Sequence, residues 1–334
     1  MKKSLLALAV LGAFAGAASA QSSVTLYGKV DLAFSKATGT KDKQIADNNA
    51  SRIGLKGSED LGNGLSAFFK LESQLNADMG TTTVAKDGSN TFWNRWSSVG
   101  LAHSKYGSLQ LGHMENGAWD TVTAYDPWGG DTVAQLRDVG ATLLDLTTYS
   151  SSKNSFTTVD VRRLDNSVRY DLSLNGFKVA ASYAEKTTGK DNPFAIGGNY
   201  TMGPLNVGLA YEKSAKASDD RLVMGGASYD FGVAKLMASY SDGRNVDNDK
   251  VKGFIVGATA PYGAFKFKVG YAQAKTELAD GSASGTYKKA SVGGEYNLSK
   301  RTKLYADYAH VSGDLPPAQD NEKNAYDFGL SHAF

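Results

Sequence analysis

Apolar or small residues return at every second position over segments of about ten residues, from one end of the chain to the other. That period of two belongs to β-strands with one wet and one dry face. Val24, Leu26, Gly28, Val30, Leu32 and Phe34 alternate with Thr25, Tyr27, Lys29, Asp31 and Ala33. The pattern returns at Leu65, Ala67, Phe69 and Leu71 against Ser66, Lys70 and Glu72, and at Phe265, Phe267, Val269 and Tyr271 against Lys266, Lys268 and Gly270. It closes the chain with Tyr326, Phe328, Leu330 and Phe334 against Asp327 and Ser331. No long stretch repeats strongly at 3.6 residues, with 115–160 the one candidate exception.

Turn signals punctuate the strands. Short ones lie at 60–64, 105–107, 174–176, 201–204, 230–232, 261–263 and 297–300, rich in the Gly and Asn that supply positive φ in tight hairpins. Between them run longer polar segments at 36–50, 77–91, 115–160, 187–194, 215–220, 242–250, 276–285 and 312–322. Seven short turns alternating with eight long loops join sixteen strands. The predicted fold is all-β, a 16-stranded antiparallel transmembrane β-barrel, because short turns on one rim and long loops on the other are the habit of such barrels. Strands of about ten residues, tilted near 45°, give a height of roughly 25 Å. An even strand number lets the first and last strands pair and leaves no edge. The alternation also admits a large soluble sandwich or propeller with one wet face.

Composition narrows the function. There is no cysteine, which excludes disulfides, thiolate metal sites and a cysteine nucleophile. A mean hydropathy of −0.33 excludes a bundle of membrane helices. A net charge of +2 argues against a nucleic-acid binder. Lys2 and Lys3, the apolar run from Leu5 to Ala17, and Ala18-Ser19-Ala20 before Gln21 have the three parts of a secretory signal peptide. Residues 1–20 are therefore expected to be removed between Ala20 and Gln21, leaving the barrel over 21–334.

A sixteen-stranded barrel holds water. Parity then puts Lys29, Arg52, Lys56, Lys70, Arg163, Arg169, Lys178, Lys235, Lys266, Lys268, Lys289 and Lys303 inside. The acids expected with them are Asp31, Glu72, Asp165, Asp171, Glu212, Glu295, Asp307 and Asp327. The long loop carries Glu115, Asp120, Asp126, Asp131, Asp138 and Asp145, with Arg137 as the main counterweight. Folded into a basic lumen, such a loop sets a transverse field. As a surface loop it does nothing of the kind.

No HExxH, no G-x-S-x-G and no Walker motif is present. No cofactor, metal or catalytic residue is predicted. His310, with Asp307 or Ser312, is the only local candidate for a hydrolytic pair. Trp93, Trp96, Trp119 and Trp128 are either a sugar-stacking platform or, more plainly, girdle and loop-packing residues. Outward tyrosines such as Tyr183, Tyr211, Tyr240 and Tyr271 suit an aromatic girdle.

The segments SVTLYGKVDLAF (23–34), SRIGLKGSEDLGNGLSAFFKLE (51–72), SSVGL (97–101), YGSLQLG (106–112), DFGVAKL (230–236), YNLSKRT (296–302) and GLSHAF (329–334) resemble the general porins of Gram-negative β-proteobacteria across the mature chain. The resemblance implies an outer-membrane homotrimer that passes ions and small hydrophilic solutes, surrounded by lipid and lipopolysaccharide. It implies a third loop (115–160) folded into the lumen as a constriction. It also implies that Phe334 is read by the outer-membrane assembly machinery. Wall arginines fall by motif on Arg52, Arg95 and Arg163, joined on the wall by Lys29 and Lys70. Opposite them the loop acids Glu115, Asp120 and Asp126 are expected, with Asp126-Pro127-Trp128 resembling the family's loop tip. Arg95 shares parity with outward Val99 and Leu101, so a bulge, a neighbouring subunit or a position outside the lumen is open. Relatives usually carry arginine where this chain has His113. The wall's basic excess predicts mild anion preference. A substrate-specific channel, a barrel hydrolase and an adhesin displayed by the long loops are the alternatives.

Overall fold

The computed structural model describes residues 23–82, 92–140, 148–150, 155–157, 162–185, 191–213, 220–244, 248–281, 284–315 and 317–334. The leader with Ala20 and Gln21, and Asp145 of the long loop, lie outside the described residues.

Sixteen antiparallel strands follow one another around a closed barrel. They are β1 (Ser23–Lys36), β2 (Arg52–Gly62), β3 (Leu65–Asn76), β4 (Trp96–His103), β5 (Gly107–Glu115), β6 (Arg163–Leu174), β7 (Phe177–Ala184) and β8 (Phe194–Met202). The second half comprises β9 (Leu205–Lys213), β10 (Arg221–Asp230), β11 (Lys235–Arg244), β12 (Lys250–Tyr262), β13 (Phe265–Glu277), β14 (Ser284–Asn297), β15 (Thr302–Gly313) and β16 (Asn324–Ala333). All seven predicted short turns connect consecutive strands. At Asn63-Gly64 and Asn175-Gly176 both residues have positive φ, as the favoured two-residue hairpin requires. Among the described residues three short helices lie in loops: α1 (Trp119–Thr123), α2 (Arg137–Gly140) and α3 (Pro317–Asn321). No helix among the described residues is long and apolar enough to cross a membrane.

Closure is a matter of register. β1 pairs β2 on one side and β16 on the other, from Lys29 opposite Ala333 to Lys36 opposite Tyr326. Gly28 and Phe334 exchange both backbone hydrogen bonds at 3.1 Å. The last residue thus completes the ladder and no unpaired edge remains. The Phe334 ring fills the space over Gly28, where a Cβ would collide with it.

The alternation holds in three dimensions. Val24, Leu26, Val30 and Phe34 are exposed on the outside, whereas Asp31 and Ser35 are buried within. Most of the predicted inward charges share this inner face. The exception lies on β6. Its register with β5 jumps between Leu164 and Ser167, and Asn166 sits at φ 49° in the extra residue of a bulge. Parity counted back from Arg169 therefore does not reach Asp165 or Arg163.

Residues 116–140 lie against the inner wall. Trp119, Val122, Tyr125, Trp128, Leu136 and Val139 form one buried cluster with Ala195, Ala210, Leu222, Met224, Ile255, Ala272 and Ala274. Glycines make the fit. A Cβ at Gly208 or Gly226 would collide with Tyr125, and one at Gly257 with Pro127. A Cβ at Gly270 would lie 2.5 Å from Leu136 and one at Gly197 2.7 Å from Thr121. Glycine in a strand marks such close approach.

Candidate functional site

On β1 to β6 the inner face is organised in rows by the strand register. Lys29, Arg52 and Gln74 form one row; Tyr27, Gly54, Glu72 and Trp96 form the next. Thr25, Lys56, Lys70 and Ser98 follow towards the short-turn rim.

Glu72 is the hub. It holds Arg95 Nε at 2.5 Å, Lys70 Nζ at 3.8 Å and Arg52 Nε at 4.0 Å, and it accepts the Tyr27 hydroxyl at 2.9 Å. The structure therefore brings Arg52, Lys70 and Arg95 together. Arg95 reaches the inside although its parity is outward, because β4 begins only at Trp96. Arg95 belongs to the preceding turn, where alternation does not apply. None of the three explanations open to the sequence is needed. Lys29 lies one row away and donates to Asn49.

A second hub lies at the end of β5. Glu115 holds Arg162 Nη2 at 2.5 Å and Arg163 Nη2 at 3.3 Å, and Arg163 Nε donates to the Arg95 carbonyl at 3.1 Å. The Arg162 guanidinium stacks 3.6 Å from the Trp119 ring centre, with Arg137 at 4.6 Å. In the sequence, Arg162 is marked only by the Arg162-Arg163 doublet.

The three loop acids occupy different places. Glu115 ends a wall strand, on the arginines' own side. Asp120 stands opposite Arg169, its Oδ2 accepting from Nη2 at 3.3 Å. Arg169 is also bound to Asp171 at 2.7 Å and donates to the backbone carbonyls of Glu115 and Asn116. Asp126 does not face the wall cations. It is buried and accepts backbone N–H groups of Trp128, Leu136 and Arg137 at 2.9, 2.9 and 3.1 Å. Burial outweighs these donors and pushes the Asp126 carboxyl above the usual carboxylate range. Further along the segment, Trp128 Nε1 donates to Asp307 at 2.7 Å, Val133 N–H to Asp327 at 3.2 Å, and Lys289 Nζ to Asp138 at 3.1 Å. Tyr125 donates to Asn206 and accepts from Asn199, both at 2.9 Å.

The histidines stay outside this arrangement. His113 lies between Asp165 Oδ1 at 2.5 Å and the Asn94 carbonyl at 3.1 Å. His310 is exposed, bound to Asn324 at 2.8 Å, and alternates with buried Asp307 on the opposite face of β15. That opposition rules out a hydrolytic pair between them. Among the described residues no group of three His, Asp or Glu is placed to hold a metal ion.

Sixteen strands with a charged inner wall and an apolar outside enclose a lumen too wide for side chains alone to fill. The family model for Gram-negative porins matches residues 7–315. The chain belongs to this porin family. It is 30% identical to an outer membrane porin protein of Bordetella pertussis over the full length of both chains. Its fold superimposes on an anion-selective porin from Comamonas acidovorans with a TM-score of 0.73 and 26% identity, covering 94% of this chain and 100% of that one. The in-vitro folded OmpT of Vibrio cholerae, in its trimer form, shares the fold at a TM-score of 0.68 and 18% identity, covering 94% of this chain and 99% of that one. The protein is accordingly an outer-membrane porin, a passive diffusion channel and not an enzyme.

Proposed function

We propose that ions and small hydrophilic solutes pass between the cations of β1 to β6 and the segment 116–140, with a mild preference for anions. The observation that carries this reading is the unequal use of charge. Glu72 is shared by Arg52, Lys70 and Arg95, and Glu115 by Arg162 and Arg163, so five wall cations are matched by two carboxylates. Cations in excess of the carboxylates that hold them leave a positive field in the passage. The anion-selective relative supports the sign.

The remaining parts of the reading follow the family. The 115–160 loop acts as the constriction loop, residues 1–20 act as the export signal cleaved between Ala20 and Gln21, and three copies assemble. The outward apolar band sits in lipid and lipopolysaccharide, and Phe334 presents the assembly signal. The trimeric relative supports the oligomer, and the ring of Phe334 beside Gly28 supports a terminal residue fixed by the closing strand pair.

The test is a planar bilayer with a salt gradient across it. Wild-type protein is expected to open in groups of three, with a zero-current potential of anion-selective sign. Arg52→Glu moves that potential towards cations. A cation-selective wild type overturns the anion preference, and an unchanged potential in Arg52→Glu overturns the assignment of Arg52 to the passage.

A further inference from the structure

Lys56 and Lys70 are direct cross-strand partners on the inner face of β2 and β3. Like charges directly opposite each other in a sheet repel. Each ammonium turns to an aromatic ring: Lys56 Nζ is 5.3 Å from the centre of Tyr27, and Lys70 Nζ is 3.8 Å from that of Trp96. Glu72 lies 3.8 Å from Lys70, whereas Lys56 has no carboxylate at ion-pair distance among the described residues. The pair therefore presents an excess of positive charge to whatever enters between them.

The next row towards the short-turn rim is Ser58, Phe68, Gly100, Gln110 and Arg169. The Phe68 ring lies over Gly100 in that row. A Cβ at Gly100 would lie 2.7 Å from the Phe68 ring and 2.9 Å from Gln110 Cβ. Arg169 is taken up by Asp171. Lys56, Lys70, Ser58, Phe68, Gln110 and Arg169 line a recess of about 450 Å³, within the usual size range of small-molecule sites. A phenyl ring bordering a water-filled channel gives hydrated ions nothing, but it suits an anion with an apolar body.

We propose that this recess binds small aromatic carboxylates. The carboxylate sits between Lys56 and Lys70, and the ring lies against Phe68. The inference rests on the channel reading above and names a solute class for it.

The experiment uses the purified protein in a planar bilayer carrying chloride current, with sodium benzoate or sodium acetate added. In wild type, benzoate lowers the chloride conductance with a saturable half-blocking concentration, and acetate does so far more weakly. Phe68→Ser raises benzoate's half-blocking concentration roughly five- to tenfold, the worth of one aromatic contact, and leaves acetate unchanged. Lys56→Gln weakens both anions. Chloride conductance in each variant verifies a folded, open barrel. Benzoate and acetate behaving alike in wild type, or an unchanged benzoate block in Phe68→Ser, overturns the site. So does inorganic phosphate blocking as strongly as benzoate, since that would mean charge alone is read. In all those outcomes persisting chloride current leaves the channel reading intact. Folded wild type without chloride current would instead overturn the channel reading itself.

Discussion

Along β1 to β6 the inner wall presents Lys29, Arg52, Lys70, Glu72 and Arg169; along β8 to β13 it presents Gly197, Ala210, Gly226, Gly257 and Gly270. The first half is held by ion pairs and stays wet. The second half carries glycine and alanine at the positions that the segment 116–140 covers at contact distance. Glycine in a strand costs roughly 0.5–1 kcal/mol relative to alanine. Here the buried Tyr125, Pro127 and Leu136 offset that cost. A wide barrel can thus be narrowed without a solid core: one part of its wall supplies charge and another supplies room.

The sharpest way to break this division is to fill the room. In Gly226→Val the new side chain meets the Tyr125 ring, which lies across that glycine. Overpacking of this kind costs about 1–3 kcal/mol. The segment is expected to leave its place, with a changed single-channel conductance and a changed polymer exclusion limit. Gly225→Ala is the control, because its Cβ points outward and meets only Leu209 at 3.4 Å. Identical conductance in wild type and Gly226→Val would show that Tyr125 does not fix the segment.

A smaller perturbation removes polarity and keeps volume. Tyr125→Phe deletes the hydroxyl that bridges Asn206 and Asn199. The loss is about 1 kcal/mol. Mean conductance is expected to stay near wild type while open-channel current noise rises. Noise equal to wild type would mean that apolar contact alone holds the loop.

The two halves were unequally legible. Strands, turns and closure were written in alternation and in Asn-Gly pairs, because lipid and water impose a period of two on every strand. The cations of β1 to β6 were legible for the same reason. Arg95 and Arg163 escaped it for local reasons: one precedes its strand, and the other lies beyond the bulge at Asn166. Gly54 and Gly100 on the inner face carry the rings of Tyr27 and Phe68. The seat under 116–140 was silent. A glycine on the inner face reads like any weak strand residue, and only the packed loop gives it meaning. Asp126 was misplaced because an acid in a loop looks like pore charge, whereas three backbone donors draw this one inward.

Asp126 ties the seat of the segment to pH, through a weaker contribution than the packing of Tyr125. Its carboxyl lies among Trp128, Leu136 and Arg137, with the Asp138 charge nearby, and burial holds its affinity for protons above the ordinary carboxylate range. A group with a raised folded pKa binds its proton more tightly in the folded loop than in a released one. Its contribution is therefore fully present below the ordinary carboxylate value and is lost as pH rises through the raised value. Acidification from pH 8 towards pH 5 should keep the segment in place or tighten it. Hydrogen exchange at the Leu136 and Arg137 amides, corrected for intrinsic rates, should show protection at pH 5 equal to or above that at pH 8. Asp126→Asn should flatten the dependence. Protection that falls on acidification would reverse the sign, and would mean that the ionised carboxylate, with its three backbone donors, is what anchors the loop.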